Sequence, residues 1–185
     1  MNDLDQVCAD LQKTADDAKT EFGELTVDQL NWKPAEKSWS VAQCFDHLIA
    51  THSLYFPEFE SLKSGDAENN LWEKISPLSG FFGRFLIRGL DPKNEKPMKT
   101  TSKAEPSKSE ISRDIIDRYV DHQSKMIAAL KNISPAVDPA KRIITSPFLG
   151  LVTYSLDDAY TVLVVHSQRH LSQAKRVMEA DGFPK

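Results

Sequence analysis

The sequence predicts an all-α protein, a four-helix bundle, and three observations lead there. Four segments of about 20–25 residues carry apolar side chains at helical spacing. Nowhere does a two-residue alternation run long enough to demand a sheet. The second and third helical segments are separated by a long connection, residues 64–106. At 185 residues the chain is expected to form one domain with a single core. Amphipathic rods bury their stripes most simply against one another.

The first rod is expected over about Leu4–Phe22, with Leu4, Val7, Leu11, Ala15, Ala18 and Phe22 inward. A turn-rich stretch, residues 23–39, follows, with a short helical piece at Val27–Leu30. The second rod runs from after Ser40 to about Leu62, with Val41, Phe45, Leu48, Tyr55, Phe59 and Leu62 inward. Ser40 and Gln43 form a capping box, and Trp39 before them could staple onto Cys44. The third rod is expected over about Lys108–Asn132, started by a second box, Ser107 with Glu110, and buried through Ile111, Ile115, Tyr119, Met126 and Leu130. The fourth runs over about Leu156–Ala180, capped by Ser155, favoured at its positive end by Asp157 and Asp158, and ended by Gly182 and Pro184. The β-branched residues 143–145 could pair locally. A structureless connection as long as 64–106 would be unusual, so one or two short helices are expected there, built on Trp72, Phe81, Phe82 and Phe85.

Composition excludes several classes. A net charge of −4 argues against a nucleic-acid binder. Charge is uneven: residues 1–30 hold eight acids and two bases, and residues 84–108 seven bases and three acids. Solvated surface explains both runs; the second could also form a positive rim for an anionic small-molecule substrate. Two cysteines, Cys8 and Cys44, are too few for a disulfide framework and read as buried thiols. The acidic start MNDLDQVCADL shows no basic-then-apolar leader, and the oily stretch Phe81–Leu90 is broken by Gly83, Arg84 and Arg88. A cytoplasmic protein with no membrane span is expected.

The sharpest chemical signal is His166 and His170 in VVHSQRHLSQA. Four residues apart, they share a helix face, and that face continues the apolar stripe of Leu156, Ala159, Tyr160, Leu163, Ala174, Val177 and Met178. Two imidazoles on adjacent turns can grip one ion. No Glu follows His166, which excludes the protease-type HExxH helix. A third ligand would come from His47, His52 or His122, among which periodicity does not choose. Cys44, one turn before His47, could be a fourth ligand but is more simply read as a buried thiol.

The stretch DQLNWKPAEKSWSVAQCFDHLIATH resembles the N-terminal signature of the DinB-like (DinB/YfiT) superfamily. Trp39 and Ser40 match its W-S pair at the second helix, and His47 the histidine eight residues after the tryptophan. SLDDAYTVLVVHSQRHLSQAKRV resembles the family's second signature, matching at His166, His170 and Gln173. The resemblance implies a four-helix bundle with a long crossover between helices two and three. It also implies a divalent metal ion, zinc or nickel, on His47, His166 and His170. His52 departs from the pattern, where many relatives carry an acid, and could stand behind the ligands or alter the coordination.

Three imidazoles leave a coordination position open, as catalytic zinc sites do. The resemblance further implies transfer of a low-molecular-weight thiol to a small electrophile, with hydrolysis as the other chemistry. Gln43 and Gln173 could orient ligands or substrate, although Gln43 is engaged by its capping box. Asp46 should face away from His47, and Arg169 should reach solvent or an acidic helix face. The alternatives are a non-catalytic metal- or ligand-binding bundle and an interaction protein using residues 72–90. A homodimer through the connection or an outer helix face is expected by analogy.

Overall fold

The computed structural model describes residues 2–65, 68–94, 104–107 and 110–185. Eight helices lie among them: α1 (Leu4–Phe22), α2 (Val27–Asn31), α3 (Val41–Ser53), α4 (Phe56–Ser61), α5 (Leu71–Ile75), α6 (Ser79–Leu90), α7 (Ile115–Lys131) and α8 (Leu156–Met178). Two three-residue strands, β1 (Ile143–Thr145) and β2 (Thr153–Ser155), pair antiparallel with Ile144 opposite Tyr154. The β-branched run therefore does pair. The bundle consists of α1, α3, α7 and α8, with α1 and α3 each packed against both α7 and α8.

Contacts at the helix ends fix the directions. Asn2 N–H donates to Asp157 at one end of α1 and α8, and Glu21 pairs with Lys175 at the other, so these two run parallel. Lys19, late in α1, pairs with Asp117, early in α7, so α1 and α7 are antiparallel. α3 runs with α7: Phe45 meets Tyr119, Ser53 meets His122, and farther along Ser134 N–H donates to the Leu62 carbonyl. A short loop cannot join parallel neighbours, because the chain must first return along the bundle. The 64–106 crossover makes that return, and α5 and α6 are the short helices expected within it.

Two expected boundaries are corrected. The second rod is not continuous to Leu62: α3 ends at Ser53 and α4 restarts at Phe56. Pro57 lies in the first turn of α4, where its missing N–H costs nothing, whereas inside a continuous helix it would remove a hydrogen bond and clash with the preceding turn. The third rod begins at Ile115, not Lys108, and Ser107 with Glu110 does not cap it. Ser107 N–H donates to the Asp46 carboxylate and Ile111 N–H to the Asn31 side chain, which hold the approach to α7 in a non-helical path. Residues 108–109, inside the expected rod, lie outside the described residues.

The core falls into two apolar clusters. One gathers Phe22, Leu30, Phe45, Leu48, Ile115, Tyr119 and Ala174; the other gathers Leu11, Tyr55, Phe59, Leu62, Met126, Leu130, Tyr154 and Leu163. A buried polar knot links three rods, with Gln123 Nε2 donating to the Tyr119 hydroxyl and the Ser167 and Thr14 oxygens. Such a knot fixes register, since slipping any rod would strand its partners without water. Among the described residues no helix is long and apolar enough to cross a membrane.

α6 lies across α8 and β2. Its close approach depends on Gly83: a Cβ there would sit 2.2 Å from the Asp158 carboxylate and 3.0 Å from Asp158 Cβ. Gly83→Ala is therefore expected to destabilise the protein by about 1–3 kcal/mol in urea denaturation. Adding Asp158→Ala removes the carboxylate but keeps Cβ, so it should recover part of that loss; no recovery would place the cost in the helix backbone instead.

Candidate metal centre

The α3 helix starts sharply because the predicted Ser40–Gln43 capping box forms. Gln43 also donates to the Ser107 carbonyl, tying α3 to the end of the crossover. Two turns into α3, His47 points across to α8, which runs in the opposite direction and presents His166 and His170 on successive turns. All three are buried, and their candidate ligand nitrogens lie within 4.8 Å of one another. His166 Nε2 stands 3.1 Å from His47 Nε2 and 3.1 Å from His170 Nε2.

Proton positions follow from the partners. His47 Nδ1 faces the Ala104 carbonyl, which only accepts, so Nδ1 carries the proton and Nε2 presents its lone pair. This is how a ligating imidazole is usually oriented from behind. Burial holds the pKa of His47 below the ordinary histidine value, the Ala104 contact opposing the shift. Burial, reinforced by the neighbouring imidazoles, holds His166 and His170 well below it. His170 Nδ1 has no partner at hydrogen-bond geometry, and the nearby Gln173 amide only weakly opposes its shift.

Three neutral, buried Nε2 atoms thus converge. A proton on His166 Nε2 can serve one neighbour well and leaves the other facing it without a satisfactory bond. A cation between the three serves all of them. With Zn–N bonds of 2.0–2.1 Å, ligand atoms on a tetrahedron are about 3.3 Å apart. The 3.1 Å separations are close to that edge, and the residues present fit a divalent ion.

The other candidates stand elsewhere. Cys44 is fully buried in the apolar cluster, its thiol pushed up to about 12 by burial, and it is not in the ligand group. His122, on α7, contacts Ser53 and Phe56; burial brings its pKa down to about 4. His52 lies behind His166, ring centroids 5.5 Å apart, and outside the ligand group. The Asp46 carboxylate accepts from the Ser107 N–H and is outside the ligand group. Arg169 is half-buried, and among the described residues its guanidinium donates to the carbonyls of Gly89, Asp91 and Asn94, clasping the end of α6.

The triad lies on the wall of a cavity of about 600 Å³ that follows the seam between α3 and α8. Toward the start of α3 and the end of α8 its lining includes Lys37, Trp39, Gln173 and Arg176. Toward the start of α8 it includes His52, Tyr55, Ser146, Phe148 and Tyr154, and Leu86 and Leu90 of α6 roof it. Among the described residues its cations are Lys37, Arg169 and Arg176. The described part of the basic run 84–108 contributes no lining cation, and residues 95–103 lie outside the described residues.

Trp39 has a role that the capping pattern did not reveal. Its ring stands 4.8 Å from that of His47 and stacks at 5.6 Å on that of His170. Ala104, too, left no sequence signal, because it acts through its carbonyl. Helical period could not have found either residue, since both lie outside the long helices.

No curated protein and no solved structure matches the chain. Residues 10–174 match the sequence model of the DinB superfamily. That span takes in the bundle from the second turn of α1 to the turn after His170 in α8. With this extent of match, and with both quoted signatures meeting at one buried cluster, the chain belongs to the DinB superfamily.

Proposed function

We propose that His47, His166 and His170 bind zinc or nickel and that the protein is a metal-dependent enzyme acting on a small electrophile, by thiol transfer or by hydrolysis. The observation that carries this reading is the convergence of three uncharged imidazole nitrogens on the wall of a cavity large enough for a small molecule. When bound, such an ion supplies Lewis acidity that ionises a thiol or a water near neutral pH.

The chain's own residues divide the remaining work. His47 is held by the Ala104 carbonyl and walled by Trp39, so its nitrogen is fixed before any ligand arrives. Leu86 and Leu90 add apolar surface to the cavity wall, which strengthens polar contacts made beside it. Lys37 and Arg176 give one end a positive potential suited to an anionic thiol or substrate. Thiol transfer is favoured over hydrolysis by family resemblance.

Elemental analysis of untagged protein, followed by a screen of bacillithiol, mycothiol and glutathione against small electrophiles, tests this. About one zinc or nickel per chain is expected, with turnover that chelator abolishes. A chain that retains neither ion from saturating solution would overturn the metal reading. Retained ion without turnover across the screen would favour the non-catalytic bundle.

A further inference from the structure

Residues 71–90, LWEKISPLSGFFGRFLIRGL, hold one acid, Glu73, against the bases Lys74, Arg84 and Arg88. The two helices built from them turn large apolar side chains outward. α5 buries its polar side: the Glu73 carboxylate accepts from the Thr145 N–H and hydroxyl, while Leu71 and Ile75 are 76 % and 62 % exposed. Ser76 and Ser79 both meet the Thr153 hydroxyl, which fastens the end of α5 and the start of α6 to β2 at one point. α6 then buries Ser79 and Gly83 and turns Leu86 and Leu90 to the cavity. Residues 81, 84, 85 and 88 share one helix face, and all four are exposed. That face sets Phe81 and Phe85, their rings stacked at 6.3 Å, beside Arg84 and Arg88.

With Trp72 and Leu78, six large apolar side chains lie exposed on these two adjoining helices. A monomer rarely leaves an apolar patch beyond about a few hundred Å² open unless something covers it. The charges indicate what does. A second copy meeting this face through a two-fold axis would bring four guanidiniums together. Glu73 is buried and engaged, and Lys74 is already paired with Glu68, so no carboxylate of α5 or α6 is left to answer them. The complement of this face is therefore both anionic and apolar. The aromatic side chains project from the outer side of α6, whose inner side packs on α8 and β2. A protein partner would have to supply a matching recess, whereas a fluid lipid surface closes around such side chains without one.

We propose that the outer face of α5 and α6 docks on an anionic phospholipid surface. Phe81, Phe85 and Trp72, with their aliphatic neighbours, enter the boundary between headgroups and acyl chains, while Arg84 and Arg88 pair with phosphates. The docking is peripheral, since neither helix is long enough to cross a bilayer. α6 then stands between lipid on one side and the cavity on the other. None of this requires an ion on the triad.

Sedimentation of the full chain with phosphatidylcholine vesicles, with and without phosphatidylglycerol, tests this. Wild type is expected to bind the mixed vesicles about thirtyfold more tightly than phosphatidylcholine alone, the effect of two basic residues at an anionic surface. High salt should erase most of that preference. Arg84→Gln with Arg88→Gln should bring it to near parity. Phe81→Ser with Phe85→Ser should weaken binding to mixed vesicles by more than about tenfold, although net charge is unchanged. All four side chains are exposed, so both double variants should keep the wild-type melting temperature. Trp72 offers a readout that needs neither variant: its emission should shift to the blue on mixed vesicles, and Trp72→Phe should remove the shift. Failure to bind mixed vesicles at millimolar lipid refutes the proposal, as does equal affinity for the two vesicle types. Affinity untouched by both double variants refutes it too. A dimer that Phe81→Ser with Phe85→Ser dissociates would assign the face to a second copy instead. A soluble acidic amphipathic peptide that binds there while vesicles do not would assign it to a protein partner.

Discussion

Replacing His166 with alanine is expected to weaken zinc binding by more than about a hundredfold, whereas His122→Ala should leave it unchanged. His166 is the hinge of the cluster, since its Nε2 stands 3.1 Å from each of the other two. Without it, His47 and His170 retain their neighbours Trp39 and Ala104 but provide only two nitrogens, too few for a stable site. His122 is also a buried histidine, so it controls for the general effect of removing an imidazole from the interior. Its Nε2 contacts Ser53, and it does not line the cavity. Competition with a zinc indicator measures both affinities. Equal weakening by the two substitutions would overturn the ligand assignment.

The second large effect is on stability in mild acid. Burial lowers the pKa of His52, His166 and His170 well below the ordinary value of 6.5, and brings His122 down to about 4. In each case the unfolded chain accepts a proton that the folded chain refuses. Stability is therefore fully present above the unfolded value and falls as pH drops through 6.5, the loss from His122 levelling off only below about 4. The losses from the four histidines act in the same direction, so the chelated protein should be markedly less stable at pH 5 than near neutrality. Ordinary carboxylates are still ionised at that pH, so the imidazoles dominate the effect. Urea midpoints of chelated protein at pH 7.5 and pH 5 should differ sharply. Saturating zinc should move the loss to lower pH, because the ion competes with protons for the same nitrogens. A flat profile across this range would show that the imidazoles are hydrated rather than dry.

What could be read from the chain depended on whether a residue acts through helical period. α1 and α8 were legible nearly to the residue, because their stripes are unbroken and Ser155 marks the start of α8. The pairing of His166 with His170 was legible for the same reason. The break between α3 and α4 was missed because apolar spacing continues across it, although Pro57 was the available sign. The Ser107–Glu110 pattern suggested a cap, but tertiary bonds to Asp46 and Asn31 took the backbone groups that a helix would have used. Choosing His47 over His52 required resemblance, since both lie on buried positions of one short helix. The contributions of Trp39, Ala104 and Tyr154 are matters of distant chain meeting, which local pattern does not encode.

Among the described residues that line the cavity, none comes from α1 or α7. Those two rods supply apolar packing and the Gln123 knot, while α3, α8 and the segments around them supply every chemical group. Chemistry thus rests on half of the rods, α3 and α8 with their flanking segments, although these two also share in the apolar core. New specificities can arise by rewriting the cavity wall and its mouth, while the packing that α1 and α7 contribute stays untouched.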